Sequence, residues 1–141
     1  MALDDAPRVA GHHERRGASQ GETRSHGFFY RPRGDDAGTL GLPIRRGRAA
    51  GWDQLQRASA GILYLDVDDR RFQRLGVLES RGEPVDDRCR ASCVDWYGNA
   101  RPLFIRDRVF ALLGYELVEG RIADGRIAEL RRTHLYRDLQ R

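Results

Sequence analysis

Two cysteines are the residues of this chain with the most open chemistry. Cys89 and Cys93 are its only cysteines, and three residues separate them in an arginine-rich segment. A zinc site needs two further cysteine or histidine ligands at a recognisable spacing, and none flanks this pair. A thiol redox motif usually has two intervening residues beside a βαβ unit, which this sequence does not show. The spacing alone therefore leaves a local disulfide, free thiols and a metal site open.

Three large aromatic residues are candidates for contacts with a protein partner. Trp52, Trp96 and Tyr97 lie in segments that we predict to be loops, where large aromatic side chains often contact partners. The same side chains could instead cap the core of the protein itself. His26 precedes an aromatic run, and we expect it to bond a neighbouring strand or loop, which is a structural role. No sequence motif supports a catalytic, metal-binding or cofactor-binding residue, so we assign none and predict no cofactor.

The charge distribution gives little support for nucleic-acid binding. The chain has 25 basic residues, all arginine, against 21 acidic residues, and a formal net charge of +4. Nucleic-acid-binding proteins concentrate basic residues on one face or in one run. Here the two signs are nearly balanced in each third of the chain. The sequence also lacks an apolar run of about 18 residues, the length that a membrane-spanning helix needs. We therefore predict neither nucleic-acid binding nor a transmembrane segment.

Short apolar runs predict a chain built from β-strands. The runs end at glycine, proline or charged turn residues, which favours strands over helices. Four strands are predicted in residues 26–80, at Phe28–Tyr30, Thr39–Ile44, Ile62–Val67 and Phe72–Leu78. Four more are predicted in residues 99–135, at Leu103–Ile105, Val109–Leu113, Tyr115–Val118 and Ile127–Leu135. Asp124-Gly125 between two of them is a strong signal for a hairpin turn.

The order of these strands predicts an all-β fold with two four-stranded antiparallel sheets. Units of this kind, about 40 to 50 residues each, are typical of consecutive β-propeller blades. A loop over residues 81–98 would link them, and residues 1–25 are predicted to form a flexible leader because they are polar and lack apolar periodicity. Two blades cannot close a ring, so residues 26–141 would form a partial propeller domain.

Several strings resemble the final part of secreted bacterial and archaeal proteins with a C-terminal β-propeller domain, distantly related to WD-repeat propellers. Ser25–Tyr30, Leu40–Ile44 and Gly61–Leu65 are similar to that family's histidine before an aromatic strand, its Leu-x-Leu-Pro strand and its glycine-led apolar strand. Arg101–Leu112 is similar to the closing segment of the family, and Cys93–Tyr97 resembles a cysteine-plus-aromatic stretch ahead of it. The chain therefore resembles the last two blades of such a propeller.

The resemblance implies an exported protein, located outside the cell or in the cell envelope. A cytoplasmic location stays open, because residues 1–10 do not have the pattern of a signal peptide. Export would favour a disulfide between Cys89 and Cys93. The expected role is a non-catalytic structural or protein-interaction module. The alternative is the C-terminal part of a secreted, hydrolase-like propeller enzyme whose active site lies in missing blades.

The resemblance also defines the expected partners. They would be another protein or the missing propeller blades, because each blade buries its faces against its neighbours. Self-association is expected as well, since uncovered sheet faces and unpaired strand edges invite contacts between copies.

Overall fold

The fold is all-β, in a computed structural model that describes residues 8–20, 27–46, 60–81 and 100–135. These residues form two antiparallel sheets. The strands of sheet 1 are β1 (Ala18–Gln20), β2 (Phe29–Pro32), β3 (Ala37–Arg46), β4 (Ala60–Asp68) and β5 (Arg71–Glu79). The strands of sheet 2 are β6 (Ala100–Ile105), β7 (Arg108–Leu113), β8 (Glu116–Ala123) and β9 (Arg126–His134). The predicted fold class is confirmed.

Sheet 1 has five strands but is only four strands wide. Both β1 and β2 pair with the same edge of β3, β1 near Ile44 and β2 near Gly41. The other edge of β3 pairs with β4, which in turn pairs with β5. The four strands predicted in this unit are all present. Strand β1 was not predicted, because Ala18–Gln20 has no apolar alternation and lies in the segment assigned to the leader.

Sheet 2 is a meander in which each strand pairs with the next. The predicted Asp124-Gly125 turn joins β8 to β9, and both residues have positive φ, 50° and 68°. This is the conformation of a type I′ turn, which matches the twist of the flanking strands. The predicted order of four strands is confirmed. Strand β8 is longer than predicted, because it ends at Ala123 and the prediction ended at Val118.

The main core lies between the two sheets, which pack face to face. We call the side of sheet 1 that contacts sheet 2 its front face, and the opposite side its back face. The buried residues of this core are Ala60, Ile62, Tyr64, Leu75, Leu78, Val109, Ala111, Leu113, Val118 and Ile127. Strand β4 is buried on both faces, as expected for a strand covered on both sides.

One hydrogen bond links the two sheets, and one glycine allows them to pack closely. The Tyr64 hydroxyl crosses the interface and donates a hydrogen bond of 2.6 Å to the carbonyl oxygen of Phe110 in β7. At Gly41, a Cβ atom would lie only 2.7 Å from Cγ of Pro102 in β6. Real Cβ atoms essentially never approach so closely, so any other residue at position 41 would push the sheets apart.

Candidate interaction surface

The residues that the sequence analysis selected as site candidates lie outside the described residues. They are His26, Trp52, Cys89, Cys93, Trp96 and Tyr97. The proposed disulfide, the aromatic partner contacts and the structural role of the histidine therefore stay predictions. The candidate interaction surface consists of other residues.

Exposed aromatic side chains lie on strand β2 and on the residue directly before it, at one edge of sheet 1. Phe28, Phe29 and Tyr30 are 39%, 37% and 47% exposed, and Ile105 at the end of β6 is 54% exposed. We call these four residues the edge patch. The apolar run Phe28–Tyr30 predicts a strand but not the exposure of its side chains. Pro32 was the available signal, because proline in a sheet is found at edges, first positions or bulges.

The edge patch is fixed to both sheets by its neighbours. The guanidinium of Arg31 lies 5.1 Å from the centroid of the Phe104 ring in β6, and its Nη1 donates a hydrogen bond of 3.3 Å to the carbonyl oxygen of Arg106. On the other side of β2, the Tyr30 ring lies over Gly38 and occupies the space of the missing side chain. These contacts tie strand β2 to both sheets.

A group of charged side chains joins the sheets at the opposite side of the interface. We call Arg81, Glu116, Glu129 and Arg132 the inter-sheet ion cluster. Arg132 donates from Nη2 to Oε2 of Glu129 and to the carbonyl oxygen of Glu79, both at 2.8 Å. Its Nη1 lies 3.0 Å from Oε1 of Glu116, but neither atom has a hydrogen-bond partner, so charge holds this contact.

Arg81 completes the cluster from the end of β5. Its backbone N–H donates to Oε2 of Glu116 at 3.0 Å, and its Nη2 donates to Oε1 of Glu129 at 3.2 Å. The side chains of Glu116 and Arg132 are each only 6% exposed. The positive and negative charges are therefore paired with each other in a partly buried site, and these ion pairs link the two sheets.

The ion cluster makes the stability of the protein depend on pH. The hydrogen bond from Arg132 and nearby positive charges hold the pKa of Glu129 below its ordinary value of 4.5, despite some desolvation. Because the folded pKa is the lower one, this contribution is complete above the unfolded pKa. It is lost as the pH falls through the folded pKa.

We therefore expect the Glu129→Gln variant to lose less stability on acidification than the unsubstituted chain. Urea unfolding between about pH 6 and pH 3 would measure the difference. Asp124→Asn, at an exposed turn on the same hairpin, is the matched control and should follow the unsubstituted chain. Parallel curves for Glu129→Gln and the unsubstituted chain would contradict the assignment.

In the described residues, no group of three histidine, cysteine, aspartate or glutamate side chains could hold a metal ion. No helix found there has the length and apolar character to cross a membrane. Comparisons with models of protein families, with curated proteins and with solved structures found no match to this chain.

Proposed function

We propose that this chain is a non-catalytic protein-interaction module of an exported protein, and that the edge patch makes the contacts. One observation carries the proposal, the run of three consecutive exposed aromatic side chains, with Phe28 directly before edge strand β2 and Phe29 and Tyr30 on it. Aromatic residues and arginine are enriched in the residues that dominate binding energy at protein interfaces. Phe29 and Tyr30 pair with Gly41 and Leu40 and point to opposite faces of sheet 1, so exposed aromatic side chains lie on both sides of this edge strand. Groups of exposed large apolar side chains mark interaction sites more often than single ones do.

The position of Arg31 supports the same proposal. Its guanidinium lies beside the patch and over an aromatic ring, so it adds positive charge and hydrogen-bond donors to the apolar centre. Strand β2 is tied to sheet 2 through Arg31 and to β3 through its backbone pairing and the Tyr30 ring, so its backbone loses little conformational freedom when a partner binds. The propeller resemblance and the exported location remain parts of this proposal, with the missing blades as one class of partner.

Site-specific photo-cross-linking in cells of the source organism would test the proposal. A photoreactive phenylalanine analogue would replace Phe29, and a second variant would carry it at Arg126, an exposed residue at the far edge of sheet 2. We expect a discrete protein adduct from position 29 and none from position 126. Thermal unfolding would confirm that both variants fold like the unsubstituted chain.

Either of two outcomes would contradict the proposal. The first is the same set of adducts from both positions, which would indicate random collisions. The second is the absence of any adduct from position 29 in a folded variant. Separation of cells from medium before cross-linking would report whether the adduct forms outside the cell, as the exported location requires.

A further inference from the structure

The backbone of strand β2 has hydrogen-bonding groups that point away from its neighbour β3. The N–H of Arg33 donates a hydrogen bond of 2.8 Å to the carbonyl oxygen of Ala37, which continues the pairing of β2 with β3. Opposite residues of an antiparallel pair alternate between hydrogen-bonded and non-hydrogen-bonded pairs. Phe29 and Arg31 therefore bond β3 as Arg33 does, and the N–H and C=O of Tyr30 point to the outer edge. No described strand pairs with this edge.

The position of Pro32 agrees with this alternation. Its backbone groups have the same direction as those of Tyr30, two positions earlier, so its missing N–H lies on the outer edge and costs β2 no bond to β3. The outer edge thus offers the N–H and C=O of Tyr30 and the C=O of Pro32. A strand added from outside can pair with β2 as far as Pro32, where the donors end.

The other described edges of the two sheets, apart from the three-residue β1, are protected against added strands. Strand β5 and strand β9 each contain a β-bulge, because the register leaves Leu75 and Leu130 as extra residues. Strand β6 contains Pro102 in its middle. Bulges and prolines are features by which natural proteins prevent pairing at sheet edges. Strand β2 has a regular register, and its proline is its last residue.

The aromatic side chains of β2 flank this edge on both faces of sheet 1. Phe29 pairs with Gly41, which faces Pro102 of sheet 2, so Phe29 lies on the front face. Tyr30, the next residue of the strand, lies on the back face. A partner that covers one face of the sheet would contact only one of these rings. A strand added beside β2 would place its alternate side chains next to both.

We propose that an extended segment of a partner protein binds as an additional strand at the outer edge of β2, an inference that rests on the proposed function and specifies how the edge patch is bound. The backbone of the segment would bond the N–H and C=O of Tyr30. Its apolar side chains would pack beside Phe29 on the front face and beside Tyr30 on the back face.

A second copy of this chain is a poor source of the added strand. Its β5, β6 and β9 edges carry the same bulges and the same proline. If two β2 strands paired in antiparallel fashion about Tyr30, Pro32 of each copy would lie opposite Phe28 of the other. The carbonyl oxygen of Phe28 would then lack a donor, because proline has no N–H. The proposed occupant is therefore a segment of a different protein.

Proline and alanine substitutions at two neighbouring positions test the direction of the backbone groups. Proline removes the N–H, whereas alanine removes the same side chain and keeps the N–H. We expect Tyr30→Pro to unfold within about 2 °C of Tyr30→Ala, because no bond to β3 is lost. Arg31→Pro should unfold at least about 5 °C below Arg31→Ala, because it loses a hydrogen bond to β3.

Photo-cross-linking from position 29 then tests the added strand. The photoreactive phenylalanine analogue would replace Phe29 in chains that also carry Tyr30→Ala or Tyr30→Pro. We expect the adduct yield to be at least about tenfold lower in Tyr30→Pro than in Tyr30→Ala, because proline removes a donor and its ring occupies the edge. Tyr30→Ala is the matched control, because both variants lack the aromatic ring.

Any of three results would overturn the inference while the proposed function stands. Equal adduct yields in the two variants would mean that side chains alone bind the partner. A Tyr30→Pro chain as unstable as Arg31→Pro would mean that the N–H of Tyr30 bonds β3. An adduct between two copies of this chain would identify a second copy as the occupant. The absence of any adduct from position 29 in the otherwise unsubstituted chain would instead contradict the proposed function and, with it, the added strand.

Discussion

Replacement of Tyr64 by alanine is expected to lower the free energy of unfolding by about 3–5 kcal/mol, the cost of removing a large buried aromatic side chain. Tyr64 is fully buried at the centre of β4, and its ring meets the ring of Phe104 edge-on with centroids 6.2 Å apart. Its hydroxyl donates to the carbonyl oxygen of Phe110 across the interface. Burial also raises the pKa of this hydroxyl, so it stays protonated as a donor.

Two further variants separate the contributions of the Tyr64 side chain. Tyr64→Phe keeps the ring and removes the hydrogen bond, so we expect a smaller loss of about 1–3 kcal/mol. Tyr30→Ala makes the same truncation at a residue that is 47% exposed, and it should cost less than about 1 kcal/mol. Urea unfolding followed by circular dichroism would measure all three. A Tyr64→Ala chain as stable as the Tyr30→Ala chain would mean that the interface between the sheets is not the main core.

The strands of this fold could be predicted because local residue types mark where they begin and end. Asp124-Gly125 favours a hairpin turn, and the apolar run from Ile62 to Val67 indicates a buried strand. Strand β1 could not be predicted in the same way. Its three residues carry no apolar alternation, and they become a strand only because β3 extends beyond β2 and leaves backbone groups to pair.

The ion cluster could not be predicted, because a bulge changes which residues share a face. Regular alternation along β9 would put Glu129 and Arg131 on one face. The extra residue Leu130 shifts the alternation, so Glu129 and Arg132 point together into the interface while Arg131 points away. A bulge of this kind depends on pairing with β8 and leaves no clear mark in the sequence.

The exposure of the edge patch was missed for a related reason. An apolar run such as Phe28–Tyr30 predicts a strand, but only the finished sheet decides whether a neighbour covers it. In the described residues, β2 pairs with β3 alone, which leaves these side chains at an open edge. The sequence thus located the strand, while its use as a contact surface depends on the topology.

Replacement of Arg132 by methionine is expected to lower the free energy of unfolding by about 3–5 kcal/mol, the cost of removing one partner of a buried ion pair. Methionine keeps much of the apolar stem of arginine, so the loss reports mainly on charge. Without Arg132, the buried carboxylate of Glu116 keeps only the Arg81 backbone N–H as a described donor. The carbonyl oxygen of Glu79 also loses the 2.8 Å bond that ties sheet 1 to β9.

The neighbouring residue provides a matched control for this substitution. Arg131 is exposed and points to the other face of sheet 2, so Arg131→Met should change the stability by no more than about 0.5 kcal/mol. Glu116→Gln combined with Arg132→Met removes the unpaired charge and should recover part of the loss. Urea unfolding of the unsubstituted chain, Glu116→Gln, Arg132→Met and the double variant completes a double-mutant cycle. Two results would contradict a stabilising role of the cluster between the sheets. One is an equal loss of unfolding free energy in Arg132→Met and Arg131→Met. The other is a double variant that is no more stable than Arg132→Met.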